Sequence, residues 1–319
     1  MEIRSFGRLG PISALTLGGG GIGGVLGPTD RAEAVATVHA AIDAGITGLD
    51  VAPTYGAGSE AELVVGAALR QRPAPDVLVT TKVEIPDDEY ADLPGRMRSS
   101  LEASLGRLGR DRVDLFLAHS QLRPAGGEVT APRTLAWERY VDEVVPAFER
   151  LVGDGLIRGW GLTGVGYPSA VLAALQAEPR PYAVQIVVNA LDLSGDMWIF
   201  GDAGAPQNPA LLAAAVDADV PVMAIRAVAS GALTDALDRD LDPDNPTAAD
   251  YAQAAGFRAL AADLGQTPAT LAHRYALSVP GVATVVLGVK NRTELAEVVA
   301  AEAAGPLTEA EWQALSELC

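Results

Sequence analysis

The stretch from Arg31 to Asp50, RAEAVATVHAAIDAGITGLD, decides the fold. Arg31 to Ala44 reads as a helix that Asp30 can cap, with Glu33 three residues on completing a capping box. Ile46 to Asp50 then reads as a short strand. Such pairs recur along the whole chain. Ala14 to Leu17 precedes this one, and Val77 to Lys82, Val113 to His119, Trp160 to Thr163, Ala183 to Val188, Val220 to Ile225 and Ala283 to Leu287 follow. Longer Ala-, Leu-, Glu- and Arg-rich segments separate these runs, as βαβ units and a parallel sheet require. Pro94 sits at the start of a helix running to Leu108 that Gly109 ends, and Thr308 with Glu311 opens a last amphipathic helix carrying Trp312 and Leu315. Eight strand–helix units without a linker predict one (β/α)₈ barrel domain, a TIM barrel, over residues 1–319. An open doubly wound sheet is the alternative.

The 319 residues include 23 basic and 41 acidic side chains, a formal charge of −18. That balance argues against nucleic-acid binding, which draws on a basic patch. No apolar run approaches a membrane span and no signal-peptide core opens the chain, so a cytoplasmic protein with no membrane partner is expected. The single cysteine, Cys319, excludes internal disulfides and cysteine-rich metal sites. His39, His119 and His273 show no metal-ligand spacing, so no metal is expected. His39 and His273, both among alanines, read as packed or surface residues. Only two of the basic residues are lysines, Lys82 and Lys290.

Three long segments, Ser120 to Trp137, Leu191 to Gln207 and Ala229 to Ala248, all follow strands. In a barrel they crowd the C-terminal mouth, where loops shape ligand sites. Trp137, Trp198 and Phe200 lie in them and are candidate substrate contacts, suggesting an apolar or ring-bearing ligand. Asp50, Lys82 and His119 close three successive strands, with Tyr55 five residues beyond the first. One rim therefore gathers an acid, an amine, an imidazole and a phenol. The glycines from Gly18 to Gly24 fit G-x-G-x-x-G, but no acidic residue about 20 positions on closes a second strand, so a Rossmann site is rejected.

Gly48-Leu49-Asp50-Val51-Ala52-Pro53-Thr54-Tyr55-Gly56 resembles the Asp- and Tyr-bearing segment of the aldo-keto reductases. Thr80-Thr81-Lys82 resembles their lysine-bearing strand end, Val113 to His119 their histidine-bearing strand, and Gly155 to Thr163 their passage into the nicotinamide site. Gly231 to Thr234 and Gly288 to Asn291 are similar to two later cofactor segments. The resemblance implies catalytic roles for Asp50, Tyr55, Lys82 and His119. It implies cofactor contacts from Gly18, Gly19, Gly20, Asp50, Thr163, Gln185, Arg226, Gly231, Leu233, Gly288, Lys290, Arg292 and Glu297, and substrate contacts from Tyr55 and His119. Where family members usually have Ser and Asn, this chain has Thr163 and Gly164. Arg226 stands at or beside the aromatic that stacks on the nicotinamide, and Glu294 where many members carry an arginine for a 2′-phosphate. Lys290 or Arg292 can replace that arginine, and NADP is the expected cofactor, with NAD the alternative.

The chemistry agrees with these residues. A carbonyl accepting hydride needs a proton donor at its oxygen. Tyr55 supplies the proton and Lys82 lowers its pKa. Asp50 holds Lys82 charged, and a neutral His119 orients the carbonyl. The hydride comes from a nicotinamide. The expected activity is NAD(P)H-dependent reduction of an aldehyde or ketone to an alcohol. NAD-linked oxidation of a sugar and a non-catalytic dinucleotide-binding subunit are the alternatives.

Overall fold

The computed structural model describes every residue except Glu128, Asp238, Asp240, Pro243 and Cys319, so the lone cysteine lies outside the described residues. Its centre is a closed parallel barrel of β1 (Leu15–Gly18), β2 (Gly48–Asp50), β3 (Leu78–Val83), β4 (Val113–Ala118), β5 (Ile157–Thr163), β6 (Ala183–Val187), β7 (Val222–Ile225) and β8 (Val282–Leu287). Each strand pairs with its successor in the chain, and β8 pairs with β1. The closed ring replaces the open-sheet alternative. Strand limits shift slightly from the expected ones. β5 starts at Ile157 because that residue pairs with Val113. β2 starts only at Gly48, since Thr47 is taken up by hydrogen bonds with Ser13.

Local signals act largely as read. Asp30 accepts the Glu33 backbone N–H and caps the helix Arg31–Asp43. The reciprocal half of that capping box is missing, because the Glu33 carboxylate pairs with Arg292 instead. Asp92 caps the helix Leu93–Leu108, Pro94 lies in its first turn, and Gly109 ends it in the left-handed region at φ 67°. Thr308 and Glu311 form a complete capping box on the helix Glu309–Ser316.

Strand side chains alternate between the two faces of the barrel wall. One set, including Phe116, Trp160 and Val285, joins the surrounding helices in the main core, where Trp160 stacks on Phe148 at 5.2 Å between ring centroids. The other set, including Leu115, Leu117 and Met223, meets Phe6, Leu9 and Ile12. Those three belong to an N-terminal hairpin, Ile3–Ser5 with Pro11–Ser13, that no pattern in the sequence announced. A smaller core of Leu193, Leu233, Phe257, Leu271 and Leu315 lies under the loops after β6 and β7.

The three long segments do follow strand ends, but they are partly ordered. Gln121–Arg123 pairs with Thr134–Ala136 after β4. Two 3₁₀ turns, Gly195–Met197 and Gly201–Ala203, shape the segment after β6, and the helix Pro246–Gln253 begins within the third. Among the described residues no helix is long and apolar enough to cross a membrane, and no group of three or more His, Cys, Asp or Glu residues could hold a metal ion.

At the seam between β8 and β1 the hydroxyls of Thr16 and Thr284, both buried, lie 2.7 Å apart. Thr16→Val should lower unfolding free energy in urea by about 1–3 kcal/mol, since it strands the other hydroxyl. The double variant Thr16→Val/Thr284→Val should recover most of that loss. Additive losses would mean the two hydroxyls are not coupled.

Candidate active site

Four side chains converge at the C-terminal mouth. Asp50 ends β2, Lys82 is the penultimate residue of β3, and His119 follows directly on β4. Tyr55 comes from the loop after β2, its ring packed against the main core. Lys82 is fully buried, and its Nζ donates to Asp50 Oδ2 at 2.7 Å and to the Val51 carbonyl at 3.0 Å. The ammonium lies 4.5 Å from the centre of the Tyr55 ring, and the Tyr55 and His119 rings meet edge to face at 5.7 Å. Gln185, on β6, donates from Nε2 to Asp50 Oδ1 at 3.0 Å. One carboxylate thus aligns an ammonium from one neighbouring strand and an amide from across the barrel.

Burial sets the proton affinities here. It would lower the Lys82 pKa, but Asp50 foremost and then Tyr55 hold that value above its ordinary one. For Tyr55 the expected lowering is not the net effect. Burial raises its pKa and outweighs the opposing field of Lys82. The phenol therefore stays protonated around neutrality, with the ammonium placed to stabilise the phenolate as a proton leaves. Burial, reinforced by the nearby Lys82 charge, brings His119 down to about 3, so its imidazole is neutral as expected.

Tyr55, His119 and Asp50 face a cavity of about 550 Å³. Gly18, Gly19, Gly20, Thr163, Gln185, Arg226 and Gly288 also line it. A Cβ on Gly18 would fall on the Leu287 carbonyl oxygen, whereas one on Gly20 would only reach ordinary contact with the Leu26 side chain. The result is a wall of bare backbone that a ligand can approach closely. The Thr163 hydroxyl donates to the Ala118 carbonyl and keeps its lone pairs for a ligand N–H. Gly164 has a physical reason: a Cβ there would press on the Gln185 carbonyl oxygen and the Val184 side chain.

A second cavity of about 260 Å³ continues the first, sharing Leu26, Val228, Ser230, Arg239, His273 and Gly288 with it. Gly231, Lys290, Glu294 and Glu297 line this far end. The two form one groove, elongated as a dinucleotide requires and walled by glycine backbone, so the residues present fit a nicotinamide cofactor.

Several expected contacts lie elsewhere. Leu233 is buried in the smaller core and lines neither cavity. Arg292 is turned outward, its Nε and Nη2 both on Glu33, at 3.1 and 2.8 Å. Lys290 does line the far end of the groove, where it pairs with Glu294 at 2.9 Å. Arg226 does line the groove, with φ 58° and Nη1 on Asp196. Trp137 opens a helix and packs on Tyr140, 5.7 Å between ring centroids. Phe200 is buried in a cluster with Tyr167 and Trp198, so that loop is pinned by its own aromatics. None of Trp137, Trp198 and Phe200 lines the groove.

Other groove residues were missed. His273, read as bland, is buried, with Nδ1 2.7 Å from the Ala269 carbonyl, and faces both cavities. Gln121 lies two positions beyond His119, the one signal that could have marked it. His39 is a packed residue, its Nε2 3.0 Å from the Ala68 carbonyl.

A barrel whose mouth holds a buried Asp–Lys pair, a phenol and a neutral imidazole beside such a groove has the parts for hydride transfer to a carbonyl. The chain matches the model of the aldo/keto reductase family over residues 14–319, and it belongs to that family of NAD(P)-dependent oxidoreductases. It is 27% identical over 304 residues to an L-galactose dehydrogenase of Arabidopsis thaliana, covering 94% of this chain and 88% of the relative. A D-threo-aldose 1-dehydrogenase of a Pseudomonas species is 27% identical over 191 residues, 52% of this chain and 54% of the relative. The fold is also that of an aldo-keto reductase from Bacillus halodurans in its holo form, with a TM-score of 0.74 at 22% identity, covering 100% and 96% of the two chains.

A His119 pKa near 3 means the neutral ring's contribution to stability is complete above its ordinary value of 6.5 and fades as pH falls toward 3. Nitrogen chemical shifts of His119 should stay constant from pH 8 to pH 5. A midpoint near 6.5 would show that the ring is not desolvated.

Proposed function

We propose that the chain reduces an aldehyde or ketone to an alcohol by hydride transfer from a nicotinamide cofactor, with Tyr55 as general acid. The observation that carries this reading is the buried Lys82–Asp50 pair set against a phenol at the floor of the groove. Bound in the groove, the cofactor supplies the hydride. Gly18, Gly19, Gly20 and Gly288 give its backbone wall, with Thr163 and Gln185 at the nicotinamide end. His119 Nε2 or Nδ1 donates a hydrogen bond to the substrate oxygen and orients the carbonyl. As negative charge develops there, the Tyr55 hydroxyl gives up its proton, and Lys82 stabilises the phenolate left behind. Asp50 keeps Lys82 charged and aimed throughout.

The same atoms run in reverse, and NAD-linked oxidation of a sugar is the second reading. The acidic far end of the groove favours it. Of the two residues on which the expectation of NADP rested, Arg292 is held by Glu33 and Lys290 is paired with Glu294, and Lys290 lines that end together with Glu294 and Glu297. Their carboxylates suit ribose hydroxyls and repel a 2′-phosphate, which supports NAD(H) over NADP(H). The sugar dehydrogenases among the relatives agree with this direction.

Tyr55→Phe should lower kcat for carbonyl reduction by about 10²–10⁴-fold while NADH affinity, followed by fluorescence, stays within about twofold. Near-normal turnover in that variant would remove Tyr55 from the acid role. Glu294→Arg should shift the NADPH-to-NADH ratio of dissociation constants at least about tenfold toward NADPH. An unchanged ratio would place the ribose away from Glu294.

A further inference from the structure

A third cavity, of about 330 Å³, borders the groove at His119. His119 and Gln121 line both, so the two adjoin at the imidazole. A substrate whose carbonyl sits at Tyr55 and His119 has this space for the rest of its length. Its wall mixes the apolar side chains of Pro86, Pro132 and Ile199 with polar ones. Glu84, two residues beyond Lys82, and Arg133, from the segment after β4, face it together.

Their pairing leaves capacity unused. Arg133 Nη2 donates to Glu84 Oε2 at 2.9 Å, and its Nη1 pairs with Glu89. Glu84 Oε1 is 3.9 Å from His119 Nδ1, beyond hydrogen-bond range, and accepts no hydrogen bond among the described residues. Gln121 donates to the Met197 carbonyl, while its Oε1 is buried without a partner. The cavity therefore offers one carboxylate oxygen lacking a donor, Glu84 Oε1, beside a guanidinium. An alkyl or aryl group could pack on Pro86, Pro132 and Ile199, but wherever it covered Glu84 it would strip water and return no hydrogen bond. A substrate carboxylate would meet the Glu84 charge. Adjacent hydroxyls satisfy both sides, donating to Glu84 and accepting from Arg133.

We propose that Glu84 and Arg133 form a specificity-determining subsite that selects a polyhydroxylated carbonyl substrate, or the corresponding sugar in the oxidative direction. This rests on the reading of Tyr55 and His119 as the reacting centre. The subsite acts on the part of the substrate beyond the reacting carbon, and so on binding and orientation rather than on proton transfer. It also explains why the loop aromatics, folded onto one another and onto the barrel, leave selection to charged residues.

Steady-state kinetics with NADH on wild type, Arg133→Gln and Glu84→Gln test it with two substrates, propanal and an aldohexose. Arg133 is 57% exposed, so its variant should fold. The expected result is a fall of about tenfold or more in the aldohexose-to-propanal ratio of kcat/KM in each variant, carried by the aldohexose KM. Equal losses on both substrates, or an unchanged ratio, overturn the subsite. Wild type that reduces propanal but does not discriminate in favour of hydroxylated aldehydes also overturns it. If wild type turns over neither substrate, the reading of the reacting centre fails. Glucitol binding to the NADH complex, by saturation-transfer NMR, then decides the subsite separately. Binding weakened about tenfold by Arg133→Gln supports it, and binding equal in both proteins or absent in both overturns it.

Discussion

The contact between Lys82 Nζ and Asp50 Oδ2, closed off from solvent, is the constraint on which the site depends. Each charge alone would be costly in that position, and each makes the other tolerable. The pair joins β2 to β3, and the Gln185 amide extends it to β6. Proton affinities follow from the same arrangement. Tyr55 keeps its proton because it is buried, and can release it because an ammonium is near. His119 stays uncharged because burial and that same ammonium both disfavour a second cation.

The parts of this design that sit on strands were legible in the amino-acid order. Asp50, Lys82 and His119 announce themselves because each interrupts or ends an apolar run, and a parallel barrel sends all such ends to one rim. The helix caps at Asp30 and Thr308 were legible for the same local reason. What escaped depends on contacts between residues far apart in the chain. Glu33 reads as half of a capping box until Arg292, 259 positions away, draws off its carboxylate. Phe200 reads as a pocket residue until Tyr167 and Trp198 enclose it. His273 sits among alanines and shows nothing of the groove it faces. The N-terminal hairpin carries too few residues for periodicity to register, although its Phe6, Leu9 and Ile12 meet the barrel's inner side chains.

Charge usage is uneven between the two basic residue types. Arginine serves ion pairs at every depth, from the exposed Arg72 with Asp43 to the buried Arg274 with Glu311, where a planar fork meets a carboxylate. Lysine is kept for two sites. One is the buried ammonium of Lys82, and the other, Lys290, is held by Glu294 at the far end of the groove. At position 82 a compact point charge on a flexible stem reaches both Asp50 and the Val51 carbonyl. The broader guanidinium does not fit that closed space.

The seam between β8 and β1 has a meaning for the order of assembly. It joins residues such as Thr16 and Thr284, 268 positions apart, so it cannot form until nearly the whole chain is present. The groove straddles that seam, with Gly18 on one side and Gly288 on the other. Asp50 and Lys82, by contrast, lie 32 positions apart on adjacent strands. A nascent chain can therefore bring its reactive side chains together well before it has anywhere to hold a dinucleotide. Binding energy released in the groove accrues only to the completed ring, and ligand occupancy becomes a report that the last unit has docked on the first.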